Sequence, residues 1–192
     1  NSTDPLIEQL LSDWIAKNPA SYIPLLARGE YLVWKAFTAR GGKYAAETQD
    51  DQFRAMNEIF GYAEKDLSAA IRLYPKSLTG YTNLINTYHT SSSFSNDLAR
   101  RVLEAGVRTH PDSVFIRERY LHFLQPKWGG TPEELDAIII EINAAQKKYP
   151  KLRVLLGYRD FIAAQVYYHE KDYDKALMHD LKALEFGDFN KY

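Results

Sequence analysis

The chain has 192 residues, 45% of them hydrophobic and 26% charged, with 24 basic against 25 acidic side chains and a formal charge of −1. The two signs are interspersed, so the basic stripe of a nucleic-acid binder is missing, and no run of about 18 apolar residues offers a membrane span. Zero cysteine excludes disulfides, thiolate nucleophiles and Cys-ligated zinc together. A chain starting at Asn1 fits an exported protein whose leader has been removed and equally a trimmed cytoplasmic one.

Asp4-Pro5 is the first helix signal, a cap residue followed by proline at the first helical position. Leu6, Ile7, Leu10, Leu11, Trp14 and Ile15 follow at helical spacing, and Lys17-Asn18-Pro19 ends the run. A second helix is predicted from about Ser21 to Arg40, stopping at Gly41-Gly42. Periodicity then lapses over an insertion that includes Lys43-Tyr44-Ala45-Ala46-Glu47-Thr48. From about Asp51 to Leu73 a long helix turns Phe53, Met56, Phe60, Ala63, Leu67 and Ala70 inward, with Gly61 as a site for a kink or division.

Shorter helices are predicted over Leu78–Tyr88, from about Asn96 to His110, and over Val114–Leu124. Hydroxyl residues Thr90-Ser91-Ser92-Ser93 separate the first two. Thr131-Pro132-Glu133-Glu134 combines a hydroxyl cap, a first-turn proline and a carboxylate able to reach back, which starts a helix running to Tyr149. The last pair covers about Lys151–Glu170 and Tyr173–Phe186.

Helix-like runs close in similar ways at Tyr74-Pro75-Lys76, His110-Pro111-Asp112, Tyr149-Pro150-Lys151 and Phe186-Gly187-Asp188. The prolines recur 36 and then 39 residues apart, a period that signals a solenoid of helical hairpins. The expected fold is all-α, a single domain over residues 1–192 with about eight to nine antiparallel helices.

In the final pair, Ala163-Ala164-Gln165-Val166-Tyr167-Tyr168-His169-Glu170-Lys171-Asp172-Tyr173-Asp174-Lys175-Ala176-Leu177 and Lys182-Ala183-Leu184 resemble a tetratricopeptide repeat. Small Ala164, Ala176 and Ala183 would let two helices approach, with Tyr167 and Tyr173 around the turn and Leu177 and Leu184 toward a next layer. Leu26-Ala27-Arg28-Gly29, Thr38-Ala39-Arg40-Gly41-Gly42 and Tyr120 to Gly130, including Pro126-Lys127-Trp128-Gly129-Gly130, resemble a bacterial family of tetratricopeptide-like domains of unknown function. The resemblance covers most of the chain. It implies an interaction protein, exported or tied to contact-dependent toxin systems, without catalytic residues or cofactor.

Enzymatic signatures are lacking. The histidines, His89, His110, His122, His169 and His179, show no zinc-binding pair at helical spacing, and no nucleophile elbow, P-loop or dinucleotide fingerprint occurs. Asp172 and Asp174 read as turn and cap residues. In tetratricopeptide-like arrays the first helix of each pair lines the concave face, which selects Thr79, Thr82, Asn86 and His89 in one unit. In the last it selects Tyr158, Phe161, Gln165, Tyr168 and His169.

Trp128 reads either as an exposed anchor or as a ring covering the core above a glycine turn. Arg28 and Arg40 suit helix capping and an ion pair with a residue such as Glu30, or an anion site. The sequence therefore favours non-catalytic protein or peptide binding. Three alternatives stand beside it: a ligand receptor or helical enzyme with a pocket near residues 28–48, self-association through the C-terminal end, and an immunity-type toxin antagonist. For the C-terminal end, the expected exposed face includes Ala176, Leu177, Ala183 and Leu184.

Overall fold

A computed structural model describes residues 5–42, 47–90, 96–125, 128 and 130–188, and these are all-α, with no strand among them. The helices are α1 (Pro5–Lys17), α2 (Tyr22–Arg40), α3 (Asp50–Leu73), α4 (Leu78–Thr90), α5 (Asn96–Thr109), α6 (Val114–Phe123), α7 (Pro132–Gln146), α8 (Tyr158–His169) and α9 (Tyr173–Leu184). A 3-10 segment, Pro150–Gly157, precedes α8. Contacts group the chain into two compact units, Asn1–Thr109 and His110–Tyr192.

In the first unit the α2–α3 pair has the most extensive packing. Small residues allow it: a Cβ added at Gly29 would lie 2.7 Å from Leu67 Cγ, and Ala36, Ala63 and Ala70 are buried alongside Met56, Phe60 and Leu67. Ser21 caps α2, its Oγ accepting from the Ile23 amide. Helix α3 is continuous through Gly61, which is exposed and has open space around it, so the anticipated division does not occur. Tyr22 stacks on Tyr74 with centroids 4.4 Å apart, fastening the start of α2 to the end of α3. Helices α4 and α5 continue the unit, with Ala99, Leu103 and Gly106 buried on α5.

Arg28 is the principal polar tie. Its Nε donates to Asp66 Oδ2 at 2.6 Å, its Nη2 to Asp66 Oδ1 at 2.8 Å, and its Nη1 to Ser12 Oγ at 3.1 Å. The anticipated Glu30 partner is replaced by Asp66, because residues two apart on a helix do not face each other. The fork matches a bidentate carboxylate geometry, and the hydrogen bonds to Asp66 raise the guanidinium pKa. Lys35 pairs with Glu8, giving α1 a second polar attachment to α2.

In the second unit, Ser113 caps α6 by accepting from the Ile116 amide at 3.3 Å. Thr131 and Glu134 form the expected reciprocal box at the start of α7, at 3.2 and 3.0 Å. The predicted continuous helix from Lys151 to Glu170 instead begins as the 3-10 segment. Leu152, Val154 and Leu155 are all buried there, and the tighter winding places side chains three apart in line, so Leu152 and Leu155 point inward together.

Helices α8 and α9 form a hairpin across Glu170, Lys171 and Asp172. Lys171 takes the left-handed conformation, φ 65°, and Asp172 Oδ1 accepts from the Lys175 amide at 3.3 Å to start α9. Ala164, Ala176 and Ala183 are buried. This corrects the expected exposed face of α9: the two alanines turn inward, while Tyr173, Leu177, Met178, Leu181 and Leu184 face outward. Arg153 holds the far end, its Nη2 donating to the Glu185 carbonyl at 2.8 Å.

Two stability predictions follow from these contacts. A Cβ at Gly157 would lie 2.6 Å from the Ala183 carbonyl oxygen, a backbone atom that cannot swing aside. Gly157→Ala is expected to cost about 1–3 kcal/mol, read as a lower urea midpoint, and an unchanged midpoint contradicts the contact. Asp66→Ala leaves half-buried Arg28 without its carboxylate and is expected to cost about 1–3 kcal/mol in the same measurement.

Candidate functional site

The polar residues of α4 mostly serve the helix itself. Thr87 Oγ1 donates to the Asn83 carbonyl at 2.9 Å and Thr90 Oγ1 to the Asn86 carbonyl at 2.8 Å. Tyr88 Oη donates to Glu64 Oε1 at 2.8 Å, tying α4 to α3, and burial followed by that carboxylate pushes the phenol pKa up. Thr79 is exposed, Thr82 and Asn86 are half-buried, and His89 is buried. The expectation that His89 lines an open groove therefore meets a core position.

Two amide atoms on α4 are enclosed without a hydrogen-bond partner among the described residues, Asn83 Nδ2 and Asn86 Oδ1. Tyr31 Oη on α2, a helix that packs against α4, shares this condition. An enclosed polar atom left unsatisfied costs about 1–3 kcal/mol. The donor and acceptor on α4 lie one turn apart and match in type the carbonyl and amide of a peptide group.

Along α8 the predicted residues grade from core to surface. Tyr158 is 1% exposed, and its Oη accepts from Gln125 Nε2 at 3.2 Å. Burial is the main force raising that phenol's pKa, with Glu118 adding to it. Phe161 is half-buried against Tyr158, centroids 5.6 Å apart, and Gln165 is half-buried. At the end of the helix Tyr168 is 63% exposed, its ring 5.7 Å from Tyr173 and 6.1 Å from exposed His169. Tyr158 thus belongs to the core, and Tyr168, His169 and Tyr173 form an outward aromatic cluster at the α8–α9 turn.

Trp128 takes a position between its two sequence readings. It is 44% exposed, yet its ring lies 6.0 Å from His122 and 6.1 Å from Phe123. The backbone here is tight: the Trp128 amide donates to the Gln125 carbonyl at 2.9 Å, and a Cβ at Gly130 would sit 2.2 Å from the Leu124 oxygen. Pro126, Lys127 and Gly129 of this motif lie outside the described residues, as do Tyr44 of the insertion and Ser91–Ser93.

Around residues 28–48, Arg28 and Lys35 are committed to ion pairs, while Trp34 is partly exposed. An open hollow of about 630 Å³ does lie near the insertion, lined by Glu47, Thr48, Gln49, Asp50, Asp51 and Arg54. Arg40 sits over the Phe53 ring at 5.9 Å. Among the described residues no group of three His, Asp or Glu side chains is placed to hold a metal ion, and no helix is long and apolar enough to cross a membrane.

Two features of the second unit have no counterpart in the sequence reading. One is an apolar cleft of about 320 Å³ between Leu124, the start of α7 and α8, with Leu135, Ile162 and Ala163 in its wall and Arg159 at its edge. Arg159 pairs with Asp136. The other is a polar group on α6: burial raises the Glu118 pKa against an opposing pull from Arg119, whose Nε has no hydrogen-bond partner among the described residues. Proline and cap spacing carries no signal for the cleft, since its walls come from segments separated in sequence.

No family model, curated protein or solved structure matches the chain.

Burial lowers the His89 pKa from 6.5 to about 4, which sets a pH dependence. As pH falls below about 6.5 the unfolded chain takes up the proton first, so stability drops toward pH 4 and is fully present above the unfolded value. The full contribution is on the order of 3 kcal/mol. Urea midpoints at about pH 7 and about pH 4.5 are expected to differ less in His89→Gln than in wild type. Equal drops assign the acid sensitivity elsewhere.

Proposed function

We propose that this chain is a non-catalytic protein- or peptide-binding module of tetratricopeptide-like character. The supporting observation is the aromatic cluster at the α8–α9 turn. Tyr168 lies mostly in the open while touching Tyr173 and neighbouring His169, and half-buried Gln165 is one turn earlier on α8.

Rings held against one another outside a core lose little side-chain freedom on docking, and tyrosine offers both an apolar face and a hydroxyl. Such residues dominate the energetics of protein interfaces. On α4, half-buried Asn86 carries one member of an enclosed amide pair that matches a peptide group in hydrogen-bond type. A protein or peptide suits an open face of rings, because its many weak contacts need no closed cavity.

Affinity capture from cells tests the reading, with wild type beside Tyr168→Ala and, separately, Asn86→Ala. Loss of an interface tyrosine is expected to lower the recovery of specific partners about tenfold, the equivalent of about 1.4 kcal/mol. Equal recovery by wild type and both variants removes these faces from the function.

A further inference from the structure

Helices α1 and α9 each present an outward apolar stripe with the same spacing. On α1 it consists of Leu6, Leu10 and Trp14, 42–60% exposed, and exposed Lys17 continues the line at the helix end. On α9 it consists of Tyr173, Leu177, Leu181 and Leu184, 53–59% exposed, with exposed Asp174 beside its first residue. Both series step by four, four and three residues, which on a helix places every member on one face along about 16 Å.

We infer that copies of this chain associate head to tail, α1 of one copy lying antiparallel on α9 of the next. In that orientation Leu6 meets Leu184, Leu10 and Trp14 fall against Leu181 and Leu177, and Lys17 comes over Asp174. The negative end of the α1 dipole then faces the positive end of α9. Pairing α9 with itself would match the dipoles equally well and set Asp174 near Lys182, but it leaves the stripe of α1 uncovered.

The seven side chains bring on the order of 100 Å² each, so the contact belongs with weak and reversible interfaces below about 1,200 Å². Its dissociation constant is expected in the micromolar range. The two surfaces differ, so a single such contact leaves one face of each copy unused, and association ends when those faces also pair, in a closed ring of two or more copies, or continues as an open chain.

Sedimentation velocity of the whole chain from about 1 to about 500 μM, a range that brackets micromolar association, provides the test. Wild type is expected to show growing oligomers, whereas Leu10→Glu and Leu181→Glu, both at exposed positions, remain monomers with unchanged helix content by circular dichroism. Mixing the two variants restores a 1:1 pair and nothing larger, because one supplies an intact α1 and the other an intact α9. Lys17→Glu weakens association at least threefold, and adding Asp174→Lys recovers it.

A wild-type monomer at all concentrations overturns the inference, whether another partner or the chain's own end covers these stripes. Self-association of Leu10→Glu alone also overturns it, pointing to α9 against α9. Tyr168 and Asn86 are unaltered in these variants, so failure here is distinct from failure of the capture experiment.

Discussion

Close approach of helix backbones is the constraint on which both units depend. At Gly29 and Gly157 there is no room for a methyl group, and buried alanines occupy neighbouring positions on α2, α3, α8 and α9. Close spacing lets short helices share a dense interior, where a displacement of a few tenths of an ångström loses many dispersion contacts at once. It also decides which polar groups become enclosed. Arg28 and Asp66 meet because α2 and α3 lie so near each other, and Gln125 reaches Tyr158 in the second unit.

The boundaries of most helices were legible because their signals are local. Thr131-Pro132-Glu133-Glu134 forms the reciprocal cap its composition implies, and the prolines at 75, 111 and 150 follow helix ends. Direction across the chain was less legible. Ala176 and Ala183 could be assigned to a shared face, but whether that face met α8 or solvent depended on crossing geometry that spacing does not encode. The 3-10 winding before α8 was hidden for a related reason: Leu152, Val154 and Leu155 fit an α-helical apolar run as well as a 3-10 one, because residues three apart share a face in both.

The candidate surfaces show the same division. Tyr158, Phe161, Gln165, Tyr168 and His169 do follow one side of α8, as their spacing indicated, yet that side passes from the packed interior to open solvent. His89 is drawn inside in the same manner at the end of α4. Residue type and period identified the stripe, whereas the place where it emerges is set by how far neighbouring helices extend. The apolar cleft edged by Arg159 was invisible because its walls come from separate segments.

Helix α1 is attached differently from the others. Among its described side chains none is fully buried, and its polar ties to α2 include the Glu8–Lys35 pair and the Arg28–Ser12 hydrogen bond. Ionic screening weakens a partly exposed pair far more than it weakens apolar packing. Raised salt would therefore weaken the Glu8–Lys35 tie while leaving the α2–α3 interior intact, so that at high ionic strength the hold on α1 passes to half-buried Ile7, Leu11 and Ile15.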